Sequence, residues 1–146
     1  MMYSHFNVRV YGLLIANGAI LVNDEVIHGR KVRKFPGGGL ELGEGTIEGL
    51  TREFREELDL EIRVLSHFYT TDYFVKSAWD HSQVISIYYL VEAVFPEFQI
   101  VNVSPDAEQT VWVPLSDIRP EDFTLPIDKT VAEMLQKAVV SGKIGE

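Results

Sequence analysis

Residues 38–60 read GGLELGEGTIEGLTREFREELDL, and the organisation of the whole chain follows from this stretch. Within it, 46–58 has a helical period. Ile47, Leu50, Phe54 and Leu58 recur at i, i+3, i+7 and i+11 as one apolar stripe. At about 100° per residue, Glu53, Glu56 and Glu57 fall within an arc of roughly 100° beside that stripe. Glu48, Arg52 and Glu56 form an ordinary i, i+4 ladder. Glu53 has no such relief, because Gly49 and Leu50 lie one turn before it and Glu56 and Glu57 one turn after it. Glu57 in turn has Glu53 at i−4 and Glu61 at i+4. Like charges at this spacing each cost a helix about 0.2–0.5 kcal/mol. An acidic run is ordinarily a solvated face. Carboxylates crowded against one another and against the buried stripe are better explained by a bound cation. Ligands that are all oxygen suit a hard ion such as Mg²⁺ or Mn²⁺.

Just upstream, Phe35-Pro36-Gly37-Gly38-Gly39 reads as a special loop in which backbone can approach a ligand closely. It lacks the Gly-Lys-Ser/Thr ending of a P-loop, which argues against a Walker-type NTPase. Arg30, Lys31, Arg33 and Lys34 precede it. If that segment is a strand, alternation puts Lys31 and Arg33 on one face and Arg30 and Lys34 on the other. A solubilising edge strand is one reading of these bases. A polyphosphate clamp beside a metal-binding helix is the other.

On the N-terminal side, Val8–Ala16 and Ala19–Val22 flank Asn17-Gly18, a strong hairpin signal. On the C-terminal side, 60–75 and 84–94 read as strands that pair with each other, joined by a polar connection that carries Trp79. Residues 96–109, with Pro96 and Pro105, read as a loop, and 110–114 as a short strand. A second helix is expected over 128–141, with Asp128 as N-cap, Val131, Met134, Leu135, Ala138 and Val139 on one face, and Gly142 as the stop. No repeat, low-complexity tract or linker divides the chain. The expectation is one domain over residues 1–146, α/β (α+β), with one mixed sheet flanked by at least two helices.

Composition narrows the function classes. The 146 residues are 46% hydrophobic and 24% charged, and the formal net charge is −9. A chain this acidic is not expected to bind duplex nucleic acid. The segment 41–61 alone carries six of those nine net charges. There is no cysteine, which excludes a disulfide scaffold, a thiolate metal site and a cysteine nucleophile, and fits the cytoplasm. The apolar run Val10–Val22 is too short to span a bilayer as a helix, and Asn17-Gly18 interrupts it, so neither a membrane span nor a signal peptide is expected.

Taken together, Gly38, Glu44 and Arg52-Glu53-Phe54-Arg55-Glu56-Glu57-Leu58-Asp59-Leu60 resemble the Nudix box: Gly, five residues, Glu, seven residues, then Arg-Glu-U-x-Glu-Glu-x-Gly-U, with U a bulky aliphatic or similar residue. Each fixed position matches except the last glycine, which is Asp59 here. That glycine ends the helix in the left-handed region, which aspartate tolerates at a cost of about 1 kcal/mol. The order of elements around the box, with Phe-Pro-Gly-Gly-Gly before the helix and Trp112-Val113-Pro114-Leu115 as the exit of the last strand, also resembles the family domain.

The resemblance implies an α/β/α sandwich, with the mixed sheet between helices. It also implies hydrolysis of a nucleoside diphosphate linked to another moiety, with Mg²⁺ or Mn²⁺. By position, Glu56 and Glu57 would be the main metal ligands, with Glu53 a third ligand or a water-positioning group and the Gly37 carbonyl completing the set. Arg52 would orient the acidic cluster and Glu44 would brace the loop. Arg30, Arg33, Lys34, Gly38 and Gly39 would meet substrate. Glu108, in a downstream loop with Asp106, is a candidate general base; a solvated loop carboxylate is its ordinary reading. Members that prefer ADP-ribose often carry a proline after the box, and none occurs between Pro36 and Pro96. Tyr73, Phe74 and Trp79 fall where a base could stack, although aromatics in strands are ordinarily core. His67 and His81 read as structural or exposed. The implied partner is a small nucleotide derivative, and a homodimer is compatible with the resemblance. The alternative is a non-catalytic nucleotide sensor of the same fold, in which box carboxylates are usually lost; here they are kept.

Overall fold

The computed structural model describes residues 2–95, 97–98 and 109–144. Its strands are β1 (His5–Ala16), β2 (Ala19–Ile27), β3 (Arg30–Lys34), β4 (Gly37–Gly39), β5 (Ile62–Thr70), β6 (Ser82–Ala93) and β7 (Gln109–Pro114). The helices are α1 (Thr46–Leu58) and α2 (Pro126–Val140), with short 3-10 turns at Leu115–Asp117 and Pro120–Asp122.

Asn17 and Gly18 take φ of 53° and 75°, so the first hairpin turns where Asn-Gly predicts. The two strands of that hairpin then part company, pairing only at Ile15↔Ile20 and Ala16↔Ala19. The rest of β1 runs parallel to β6 over ten registered pairs, from His5↔Ser82 to Leu14↔Val91, and antiparallel to β4. β5 closes this part of the sheet against β6, as the sequence predicts. β2 carries the other part, with β3 and β7 on its two edges.

β1 is thus covered on both faces, which explains its nearly continuous apolar run. Val10 and Leu14 join Leu50 and Phe54 of α1 in one core. Tyr11 and Leu13 join Val131, Ala132 and Leu135 of α2 in the other. The mixed sheet therefore lies between two helices, the expected sandwich. Gly12 makes the α1 side possible, because a Cβ there would stand 2.6 Å from the Phe54 ring.

The triple glycine departs from the expected loop. It is the short strand β4, with Gly38 opposite Val10. α1 has the predicted bounds, but Ile47 is half exposed, and the buried stripe runs through Gly49, Leu50, Glu53 and Phe54 instead. Glu48 leaves the expected ladder and accepts the Gly45 amide at 2.8 Å, capping the helix. α1 ends at Asp59, which sits in the left-handed region at φ 50° and ψ 43°.

α2 starts two residues early. Pro126 opens it, as proline favours the first helical turn. Asp128 is consequently no cap: it lies within the first turn, buried, with the Tyr88 hydroxyl donating to Oδ1 at 2.6 Å. Gly142, at φ 77°, follows the helix as expected. Among the described residues, no helix is long and apolar enough to cross a membrane. Most of the expected 96–109 loop lies outside the described residues.

Candidate active site

The site forms where β4 meets α1. Gly38 faces the helix, and a Cβ on it would stand 2.6 Å from the Glu53 carboxylate. Glu53 is 9% exposed, so the helix drives a charge into the sheet edge at the point where the strand has no side chain.

Arg52 organises the carboxylates. Its Nε and Nη2 donate to the two Glu44 oxygens at 2.9 and 2.6 Å. Nη1 donates to Glu53 and Glu56, both at 3.1 Å. Nη2 also donates to the Gly39 carbonyl at 3.1 Å. All five N–H donors of the guanidinium are used, a geometry no lysine could supply. Glu44 also accepts the Glu41 amide at 2.8 Å. The hydrogen bonds from Arg52 and from that amide hold the Glu44 carboxyl down at about 2. Glu44 is thus a permanently charged anchor between loop and helix.

Glu56 and Glu57 lie on the exposed side of α1. Among the described residues, no three acidic or histidine side chains converge as a ready-made metal cage. Arg52 Nη1 holds Glu53 and Glu56 together on one donor. The donor set still fits a hard divalent ion, since it consists of carboxylate oxygens beside the glycine backbone. Glu56, with its side chain 61% exposed, has room to swing.

The predicted basic residues separate. Arg33 forms a two-point pair with Asp24, Nε to Oδ1 at 2.8 Å and Nη2 to Oδ2 at 3.0 Å. Arg30 and Lys31 are exposed on the edge strand β3. Lys34 alone of the four lines a cavity of about 120 Å³ beside β4, 2.7 Å from Glu25. Glu108 and Asp106 lie outside the described residues.

Arg9 belongs to no motif of the sequence. It stands on β1 opposite Gly39, lines the same cavity, and donates from Nε to the Tyr11 hydroxyl at 2.6 Å. Burial pulls its guanidinium down, but Tyr11, Glu53 and Glu57 outweigh burial and hold it above its ordinary value. It therefore lies between the cavity and the carboxylates. The available signal was its alternation with Asn7 and Tyr11 on one face of an otherwise apolar strand. Among the described residues, Arg9, Lys34 and Lys76 line this cavity with no carboxylate on its wall, in a chain of net charge −9.

A family model for the NUDIX domain matches residues 4–134. The chain belongs to the Nudix family. Its hydrolase class follows at family level, and the Nudix box is the β4–α1 segment just described. No curated protein matches the chain. Among solved structures, it is similar to the ORF135 protein of E. coli, at 19% identity and TM-score 0.72, covering 97% of this chain and 96% of that one. It is similar to the MutT protein from Methanosarcina mazei Go1, at 19% identity and TM-score 0.71, covering 92% and 95%. It is also similar to an ADP-ribose pyrophosphatase from Streptococcus suis 89-1591, at 18% identity and TM-score 0.63, covering 96% and 94%. At these identities the likeness establishes the Nudix fold.

Proposed function

We propose that the chain, acting as one domain, is a metal-dependent hydrolase that cleaves the pyrophosphate linkage of a nucleoside diphosphate joined to another moiety. The observation that carries this reading is the contact of Glu53 with Gly38, which seats a helix carboxylate on bare backbone, with Arg9 linking it to a cation-lined cavity. Glu53, Glu56, Glu57 and the Gly37 carbonyl would hold Mg²⁺ or Mn²⁺. Such an ion, when bound, neutralises phosphate oxygens and lowers the pKa of water.

The remaining work falls to the protein. Arg52 keeps Glu53 and Glu56 oriented, and Glu44 keeps Arg52 in place. Arg9 and Lys34 bind phosphate oxygens at the rim of the cavity. The cavity, at about 120 Å³, is smaller than a typical ligand pocket and takes one end of the substrate, leaving the diphosphate at β4. Glu108 is retained as the group that accepts a proton from the attacking water. The lack of cysteine suits a reducing compartment such as the cytoplasm.

The test is hydrolysis across nucleoside triphosphates, oxidised nucleotides, nucleotide sugars, dinucleoside polyphosphates and ADP-ribose, with Mg²⁺ or Mn²⁺. Metal-dependent release of a nucleoside monophosphate or pyrophosphate is expected. Failure to turn over any of them, or full activity in Glu57→Gln, would overturn the reading.

A further inference from the structure

Three exposed aromatic residues lie between β5 and β6, and the structure gives them different surroundings. The Tyr73 hydroxyl stands 3.4 Å from Thr130 Oγ1 of α2. The Phe74 ring packs edge-on to Tyr3, with centroids 5.1 Å apart. Trp79 is 58% exposed, stacks on no ring among the described residues, and lines the cavity that holds Arg9 and Lys34.

The turn that carries Trp79 is tightly held. Ser77 Oγ accepts the Trp79 and Asp80 amides at 3.0 and 3.3 Å. Asp80 Oδ1 accepts from the Ser82 amide at 2.8 Å and from its hydroxyl at 2.5 Å. The Ser77 amide donates to the Ser82 carbonyl at 2.9 Å, and the Ser4 amide donates to the His81 carbonyl at 3.0 Å. Ser82 is fully buried. A large apolar ring has thus been left in water on a backbone that is already ordered. Leaving it there forgoes the gain from burying it. Holding it on a fixed turn removes the ordering cost when a ligand covers it.

We propose that Trp79 stacks on the aromatic base of the substrate, and that it is the residue by which this enzyme selects diphosphates bearing a nucleobase over diphosphates bearing only a sugar. This rests on the hydrolase reading above. The cavity volume suits a ring system rather than a whole nucleotide, and its apolar wall offers Tyr11 and Tyr88, whose rings stack on each other at 5.1 Å. The exposed indole lines that same cavity. Base–aromatic stacking tolerates every base, so Trp79 selects for a base without choosing among bases.

The test has two arms. In steady-state kinetics on the best nucleotide substrate, Trp79→Ala should raise KM about tenfold or more with kcat nearly unchanged. Trp79→Phe should recover most of that loss, and the KM for a ribosyl diphosphate without a base should not move in either variant. In the second arm, Trp112→Phe leaves Trp79 as the single tryptophan of the chain. A non-hydrolysable nucleotide with Mg²⁺ should quench its fluorescence, and inorganic pyrophosphate should not. Turnover with unchanged KM in Trp79→Ala, or no quenching by nucleotide, overturns the proposal and leaves the hydrolase reading standing. Quenching by nucleotide in a protein that hydrolyses nothing supports the stacking role and overturns the hydrolase reading instead.

Discussion

Gly38 and Glu53 share one small volume: a methyl group on the glycine would stand 2.6 Å from a Glu53 oxygen. The obstacle is the far end of a flexible side chain. Gly38→Ala can therefore fold by pushing the carboxylate aside, with a stability change of about 1 kcal/mol or less. Misplacing a site group by about 1 Å is worth about a hundredfold in rate. Thermal unfolding and kcat measured together should separate the two effects. A Gly38→Ala variant with full activity would contradict the role given to this contact.

Arg52→Lys keeps the charge and loses the fork. A lysine cannot span both Glu44 oxygens while reaching Glu53, Glu56 and the Gly39 carbonyl. Metal affinity and kcat should each fall about 10–100-fold, the range for groups that orient ligands. Manganese titration of the variant checks this, and wild-type affinity would count against it.

Burial pushes the Asp128 carboxyl up to about 7, with the Tyr88 hydroxyl, Lys34 and Arg9 pulling the other way. Its unfolded value is near 4. A carboxyl raised on folding contributes stability that is complete below about 4 and is lost as pH rises through about 7. Taken alone, this group should make the fold less stable at pH 8 than at pH 4, by on the order of 4 kcal/mol as an upper limit. Asp128→Asn, neutral throughout, should flatten that part of the profile. Denaturant unfolding at several pH values reads it directly, and parallel profiles for the two proteins would refute the assignment.

Asp59 closes α1 at φ 50°, a conformation glycine adopts without strain. Asp59→Gly should raise stability by about 1 kcal/mol and leave kcat unchanged, because the residue lies beyond the carboxylates. A loss of stability would mean that the aspartate side chain makes a contribution of its own.

Local elements and the β5–β6 pairing are legible in the sequence, and the parallel pairing of β1 is not. The spacing of Leu50, Phe54 and Leu58 locates α1, and Asn17-Gly18 locates the hairpin, because both signals are local. The parallel pairing of β1 with β6 joins residues about 77 positions apart, and no nearby residue encodes it. The glycine run reads as a loop because glycine disfavours strands; pairing with β1 imposes the extended form on it. Pro126 marks the start of α2, and the Asp128 side chain resembles a cap only because an acidic residue precedes the apolar face. Among the site residues, the box carboxylates could be read from spacing. Arg9 carries only a weak signal, its alternation with Asn7 and Tyr11, because only the sheet brings β1 beside β4 and α1. Arg33 sat in the right stretch of sequence, but strand alternation turns it to Asp24.

The proposed function requires the α1 carboxylates to take up a divalent ion. Calorimetric titration of the wild-type protein with Mn²⁺, with and without a non-hydrolysable nucleoside diphosphate, tests it most directly, alongside Glu56→Gln and Glu57→Gln. Saturable uptake by the wild type, strengthened by the nucleotide and weakened in both variants, is the expected result. No uptake under either condition, or equal uptake by all three proteins, would contradict the account.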